Sequence, residues 1–257
     1  MARPGFVLEV DERTPPLLVH EGEGFRLQKF PLGARVIYPP DALPRIRNVR
    51  AAIRQALDQP NDSEPLRELL KPGMKLTIAI DDISIPLPPM QSPDIRQLVL
   101  EEVIELAARQ GVEDIKLFMA NSLHRRMTAD EIQHAVGERV FRSFYPKDLK
   151  NHDAEDRDNL VYVGKTDKGE EVELNKRAME SDLLIYVNIN LVAMDGGHKS
   201  VPVGLASYRS VKHHHNVNTM LHSKSYMDPR PGKSAIHDSC KRMGDLLKSN
   251  GLKIFTI

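Results

Sequence analysis

A chain of 257 residues with 36 Lys+Arg against 36 Asp+Glu, a formal charge of +0, has room for one large domain or two small ones and no basic surface suited to a nucleic-acid backbone. Its 40% apolar and 28% charged content excludes a disordered chain, and a single cysteine, Cys240, excludes an intrachain disulfide framework or a cysteine-rich zinc or iron–sulfur site. With neither the apolar core of a signal peptide in MARPGFVLEV nor any run approaching the ~20 apolar residues of a membrane helix, the expectation is a cytoplasmic protein with no membrane and no nucleic acid among its partners.

Residues 1–45 alternate short apolar runs (GFVLEV, FRLQKF, ARVIYPP) with turn residues, which predicts a β-rich entry segment. Ile46, Val49, Ile53 and Leu57 recur at helical spacing and predict a helix over 46–57. Asp62 or Ser63 is placed to cap a short second helix through LRELL, with Gly73 at its exit. The pattern then turns β-α-β. KLTIAID (75–81) is a buried-strand run, and 93–110 is a helix that Ser92 would cap, with Pro93 in the first turn and Gly111 after the last. Ile95, Leu98, Val99, Val103, Leu106 and Ala107 form its apolar stripe. DIKLFMA (114–120) reads as the next parallel strand, and Thr128 with Glu131 makes a capping box for a helix ending near Gly137. LVYVG and EVEL, joined through Lys168–Gly169, predict a hairpin; NKRAMES predicts a short helix and LLIYVNI (183–189) another buried strand. A helix over 237–249, with Cys240, Met243, Leu246 and Leu247 inward, leads into the strand-like LKIFTI. The expected class is α/β: one domain over 1–257 with a mostly parallel, Rossmann-like open sheet, flanking helices and a β-rich segment at 1–45. Because the chain stops inside what reads as a strand, a truncated chain or the first domain of something larger is expected.

The three clearest strands each lead into an unusual polar loop: Asp81-Asp82-Ile83-Ser84, then Asn121-Ser122-Leu123-His124-Arg125-Arg126, then Asn188-Ile189-Asn190 followed by Gly196-Gly197-His198-Lys199-Ser200. Open parallel sheets bind ligands beyond the carboxyl ends of their strands, where loops converge, so a pocket is expected there. Each element alone has a plain alternative: Asp81 and Asp82 as turn and cap residues, His124 as a surface histidine. Gly196-Gly197 before Lys199-Ser200 has the look of a phosphate loop but fails the Walker spacing, as does PGKSA at 231–235, which disfavours an ATPase. His213-His214-His215 offers imidazole donors, although three in a row cannot all point at one ion.

The stretch from Asp81 to about Asn216 resembles the nickel-pincer lactate racemase family. Gly196-Gly197-His198-Lys199, Val203-Gly204-Leu205-Ala206 and a histidine sixteen residues after the lysine are similar to that family's G-G-x-K…P-G-I-A…N-H run. SLHRRMTADE resembles its G-x-H-R-x-x-T-x-x-E loop, DDISIP its D-x-T-R-P turn, and NHDAEDRDNLVYVGKTDKGEEVELNKRAMESDLLIYV the region between. The resemblance implies an N-terminal cofactor domain carrying the nickel pincer nucleotide, a pyridinium-3-thioamide-5-thiocarboxylic acid mononucleotide that holds nickel by two sulfurs and a ring carbon. Lys199 would be its attachment site and His215 the fourth nickel ligand, with Asp82, Ser84, Gly196, Gly197 and Ser200 around the cofactor. His124 would be the acid/base group that takes a hydroxyl proton as hydride leaves the substrate's α-carbon. The implied activity is an isomerase, racemising or epimerising a small-molecule 2-hydroxy acid. The implied partners are a C-terminal domain of the same protein and the enzymes that mature the cofactor. Departures from the family pattern disfavour lactate itself: Asn188-Ile189-Asn190 stands where a second catalytic histidine belongs, and Ile85 where an arginine grips the substrate carboxylate. A longer hydroxylated acid, such as a sugar acid, is favoured instead. The alternative is a non-catalytic nucleotide- or metal-binding module of the same descent. His152 is expected to be a structural hydrogen-bonding residue, and Arg125 and Arg126 to meet a cofactor phosphate or solvent.

Overall fold

The structure is a computed structural model that describes residues 6–22, 24–39, 43–83, 92–190, 196–225, 228 and 230–257. It divides into two compact units, Met1–Arg47 and Asn48–Ile257. In the first, β1 (Phe6–Glu9) pairs antiparallel with β4 (Arg35–Tyr38), and β2 (Leu17–Glu21) pairs with β3 (Gly24–Gln28) as a hairpin. The expected β-rich segment is present; β2, whose apolar residues follow two prolines, is a strand that the pattern missed.

The second unit opens with α1 (Val49–Asp58), whose first turn is capped by Asn48: the side-chain oxygen accepts the Ala51 N–H at 3.0 Å. α2 (Leu66–Leu69) begins after Pro65 and not at Asp62 or Ser63, because Asp62 is spent on a tight turn with φ of 53°. β5 (Lys75–Ile80) is buried from Leu76 onward, as a strand covered on both faces must be. α3 (Ile95–Arg109) is capped by Asp94, whose carboxylate accepts from Arg96 N at 2.8 Å, so the cap lies two residues beyond Ser92. Gly111 provides the expected left-handed exit at φ of 75°. β6 (Asp114–Met119) follows, then α4 (Ala129–Val136) with both hydrogen bonds of the Thr128–Glu131 capping box in place, α5 (Glu138–Phe144) and β7 (Leu149–Asn151). The hairpin of β8 (Leu160–Lys165) and β9 (Glu171–Asn175), α6 (Lys176–Met179) and β10 (Leu183–Val187) come next. A 3-10 turn at His198–Ser200 leads to the short helices α7 (Val201–Gly204), α8 (Tyr208–Val211) and α9 (Val217–Leu221), then α10 (Ala235–Ser249) and β11 (Ile254–Thr256).

β11, β10, β5, β6 and β7, in that order, form one sheet in which every pairing is parallel. The fold is α/β, as expected. One face is covered by α1 to α5, through a core that includes Leu66, Leu100, Val103, Ile132 and Val140. The other carries α10, α7 and the β8–β9 hairpin, through Leu174, Val201, Leu205, Met243 and Leu247. Arg242 of α10 clasps Glu170 at the turn of the hairpin, with Nε donating at 3.0 Å. The chain steps from β5 to β6 and β7 on one side, then returns to β10 and β11 on the other. The reversal falls between β5 and β10, and a crevice opens at the carboxyl ends of strands so arranged. Among the described residues no helix is long and apolar enough to cross a membrane.

Candidate functional site

Asp81 and Asp82 leave β5 at that reversal, and neither is merely a turn residue. Both side chains are buried. The Asp81 carboxylate accepts the Ile189 N–H at 2.7 Å and the Asn188 amide at 3.0 Å, and the Tyr186 hydroxyl reaches it as well. It therefore ties the end of β10 to the end of β5. Burial still raises its pKa, against those hydrogen bonds. Asp82 accepts from His124 Nδ1 at 3.0 Å. A carboxylate only accepts, so His124 carries its hydrogen on Nδ1 and turns the Nε2 lone pair outward. This contact, ahead of the opposing effect of burial, raises the His124 pKa.

What holds the pair in register is Arg96, which the sequence reading did not single out. Its Nη1 donates to the carbonyls of Asp81 at 2.8 Å and Asp82 at 3.1 Å, while Nε and Nη2 grip the Asp94 carboxylate. The start of α3 is thus bolted to the end of β5 by a buried guanidinium. The sequence shows only an Asp-x-Arg string at the helix start, which does not by itself reveal a buried guanidinium.

Gly196 and Gly197 have φ of 83° and 68°, the left-handed region that glycine adopts without strain. A Cβ on Gly196 would meet the Asn190 Oδ1 at 2.6 Å, whereas one on Gly197 meets nothing within 4 Å. The Gly196 N–H donates to the Ser200 hydroxyl at 2.9 Å, so Ser200 braces the loop that presents Lys199. Lys199 sits in the 3-10 turn just ahead of α7, and its charge, second to burial, lowers the pKa of His237 on α10. Cys240, one turn further along α10, is buried, and its thiol is pushed up to about 12. His198 faces α10, with Nε2 2.8 Å from Asp245. Ser84 and Ile85 lie outside the described residues.

The three consecutive histidines diverge. His213 faces Glu171 at 4.0 Å. His214 is wholly buried, with Nε2 3.3 Å from the Pro202 carbonyl, and burial brings its pKa down to about 4. His215 lies outward, its Nδ1 2.6 Å from that of His214. Its pKa is lowered by the surrounding protein and then by the charge of His124, which brings the expected ligand and the expected acid/base group within electrostatic range. Among the described residues no three or more His, Cys, Asp or Glu side chains form a metal-binding group.

His152 is structural: Nε2 donates to the Ala206 carbonyl at 3.0 Å and Nδ1 accepts from Asn175 at 3.4 Å. Arg125 forks onto Glu131 at 2.8 and 2.7 Å, and Arg126 pairs with Asp153, so both guanidinia are already matched by carboxylates. A cavity of about 250 Å³ runs beside His124, lined by Asn121, Ser122, Arg126 and Asp153 among others.

The family model of the lactate racemase N-terminal domain matches residues 24–228. The lactate racemase of Lactiplantibacillus plantarum is 28% identical over 168 residues, 64% of this chain and 38% of that protein. That of Thermoanaerobacterium thermosaccharolyticum is 26% identical over 167 residues, 63% of this chain and 37% of that protein. The chain therefore spans less than two fifths of the length of these curated relatives. The structure of the lactate racemase apoprotein from T. thermosaccharolyticum aligns with a TM-score of 0.66 at 19% identity, covering 94% of this chain and 56% of that one. A protein from Thermotoga maritima aligns at a TM-score of 0.56 and 16% identity.

Proposed function

From the premise that this chain belongs to the lactate racemase N-terminal domain family, we propose that it is the cofactor-bearing part of a nickel-pincer-dependent racemase or epimerase of a 2-hydroxy acid. The observation that carries the reading is the match of residues 24–228 to that family, and His124, held through Nδ1 by Asp82, supports it. Lys199 would hold the nucleotide covalently and His215 would complete the nickel coordination; a neutral imidazole suits a square-planar site. When bound, the group supplies an acceptor for hydride from the substrate's α-carbon. The chain's own part is proton management. His124, with Nδ1–H anchored on Asp82, takes the substrate hydroxyl proton on Nε2 and returns it after the carbonyl face has been exchanged. Asp82 and Arg96 keep that imidazole in place, and the Gly196–Ser200 loop presents the attachment amine.

Asn188 occupies the region of the missing second histidine, and its amide is engaged by Asp81, so it offers no titrating group from the opposite side. That supports a substrate other than lactate, such as a longer hydroxylated acid. It also favours, as a second reading, a binding module that keeps the pocket without turnover. Mass spectrometry of chain co-expressed with a cofactor-maturation pathway tests the first reading: an adduct on Lys199, absent from Lys199→Ala, with nickel bound in proportion. An unmodified lysine and no nickel under those conditions refutes it. Deuterium exchange at the α-carbon across a panel of 2-hydroxy acids, using loaded protein of full length, separates turnover from binding alone.

A further inference from the structure

The geometry around the second and third of the consecutive histidines fixes where their ring hydrogens sit. His214 Nε2 faces the carbonyl oxygen of Pro202 at 3.3 Å. A carbonyl can only accept, so Nε2 bears the hydrogen. The ring is wholly buried, and its hydrogen-bond partners are that carbonyl and another imidazole, with no carboxylate among them to support a second proton. Its Nδ1 is accordingly a lone pair. His215 Nδ1 lies 2.6 Å from it, and a contact that short between two nitrogens needs one hydrogen between them. The hydrogen must come from His215. The neutral His215 ring then has its remaining lone pair on Nε2, the nitrogen farther from the backbone and the one turned away from His214.

We infer that His214 is a positioning residue that holds His215 in the Nδ1–H tautomer through a relay from His215 to His214 to the Pro202 carbonyl, leaving His215 Nε2 as a ready metal donor. The role rests on the proposed function only for the identity of the metal-bearing group; the tautomer is a property of the chain itself. Histidine ligands are commonly oriented by a hydrogen bond from the other ring nitrogen to an oxygen acceptor. Here the acceptor is a second, buried imidazole. Its far end rests on α7, the helix that directly follows Lys199 and Ser200. The relay therefore joins the loop that would carry the nucleotide to the side chain that would complete the nickel site. Two further contacts lock His214: its backbone N–H donates to Val211 at 3.1 Å, and the Thr219 hydroxyl donates to its carbonyl at 2.8 Å.

Nitrogen-detected NMR of the 257-residue chain, labelled at histidine and free of metal, reads the tautomer directly, with His215→Gln identifying the resonances. The expected result is a His215 ring protonated on Nδ1 and bare on Nε2. His214→Phe, which keeps a buried ring but offers no acceptor, should release His215 into the tautomer mixture of a free histidine. His214→Asn, which returns a carbonyl oxygen near the position of the ring Nδ1, should restore the bias. In cofactor-loaded chain, His214→Phe should weaken nickel retention on dialysis by about 10–100-fold, with Asn intermediate. A wild-type His215 protonated on Nε2 overturns the inference, as does an unchanged tautomer in folded His214→Phe and His214→Asn alike. Should the tautomer be as stated while loaded chain holds no nickel, the proposed function fails and the relay stands.

Discussion

Asp82 and His124 make the most direct test at the level of single side chains. Since the carboxylate raises the His124 pKa, a reaction that needs His124 unprotonated is lost as pH falls through that raised value. Asp82→Asn removes the charge, so the acid limb of the rate profile should move to lower pH, and the plateau should drop because the ring loses its anchor. His124→Gln should cost about 10²–10⁴-fold in turnover, the usual worth of a positioned acid/base group. Both are measured by α-carbon exchange in the loaded full-length protein; an acid limb that stays put in Asp82→Asn excludes His124 as the titrating group. At this scale the motifs name candidates and leave their geometry open. His124, Lys199 and His215 were picked out by motif. That Arg126 is paired with Asp153, that His198 faces Asp245 and that Arg96 pins two carbonyls depend on partners 27, 47 and up to 15 residues away.

Elements with a long, regular period were legible, and short ones were not. β5, β6, β10 and α10 follow from apolar runs or stripes that match their burial, whereas the stripe of α3 is shifted, with Leu100 fully buried and Ile95 exposed. β7 has three residues inside a polar stretch and exists only because β6 offers it an edge. The caps divide in the same way. Thr128 and Glu131 form a self-contained local motif, and Thr128→Ala should lower stability by about 1 kcal/mol in urea denaturation. Asp94 caps α3 in place of Ser92 because Arg96 gives its carboxylate a buried partner, which no local pattern encodes. Arg96→Ala leaves Asp94 buried and unpaired and should cost about 3–5 kcal/mol by the same measurement. The double change Asp94→Ala with Arg96→Ala should recover part of that loss. A double variant no more stable than the single one means that the two carbonyl contacts, not the ion pair, carry the cost.

For the molecule as a whole, the sheet order determines where chemistry can occur. The sequence already implied a parallel sheet with polar loops at one end; the reversal between β5 and β10, which brings Asp81 and Asn188 together, needed the pairing itself. The division after Arg47 falls close to the end of the β-rich segment read at 1–45. Buried neutral histidines make the native state sensitive to mild acid. Burial lowers the pKa of His152, and that of His214 to about 4, whereas both return to about 6.5 when the chain unfolds. The unfolded chain thus binds more protons as pH falls below about 6.5, and stability should decline by up to ~1.4 kcal/mol per pH unit for each group until its native pKa is reached. Urea titrations between pH 7 and 5 should show that slope, and His152→Gln should flatten it; an equal slope in the variant means that other groups dominate. The deep burial of the lone thiol has a practical corollary for watching this molecule work. Cys240 should ignore maleimide until the fold opens, so a surface cysteine introduced by Lys168→Cys in the hairpin turn takes a fluorophore alone, and the native background needs no prior sulfur removal.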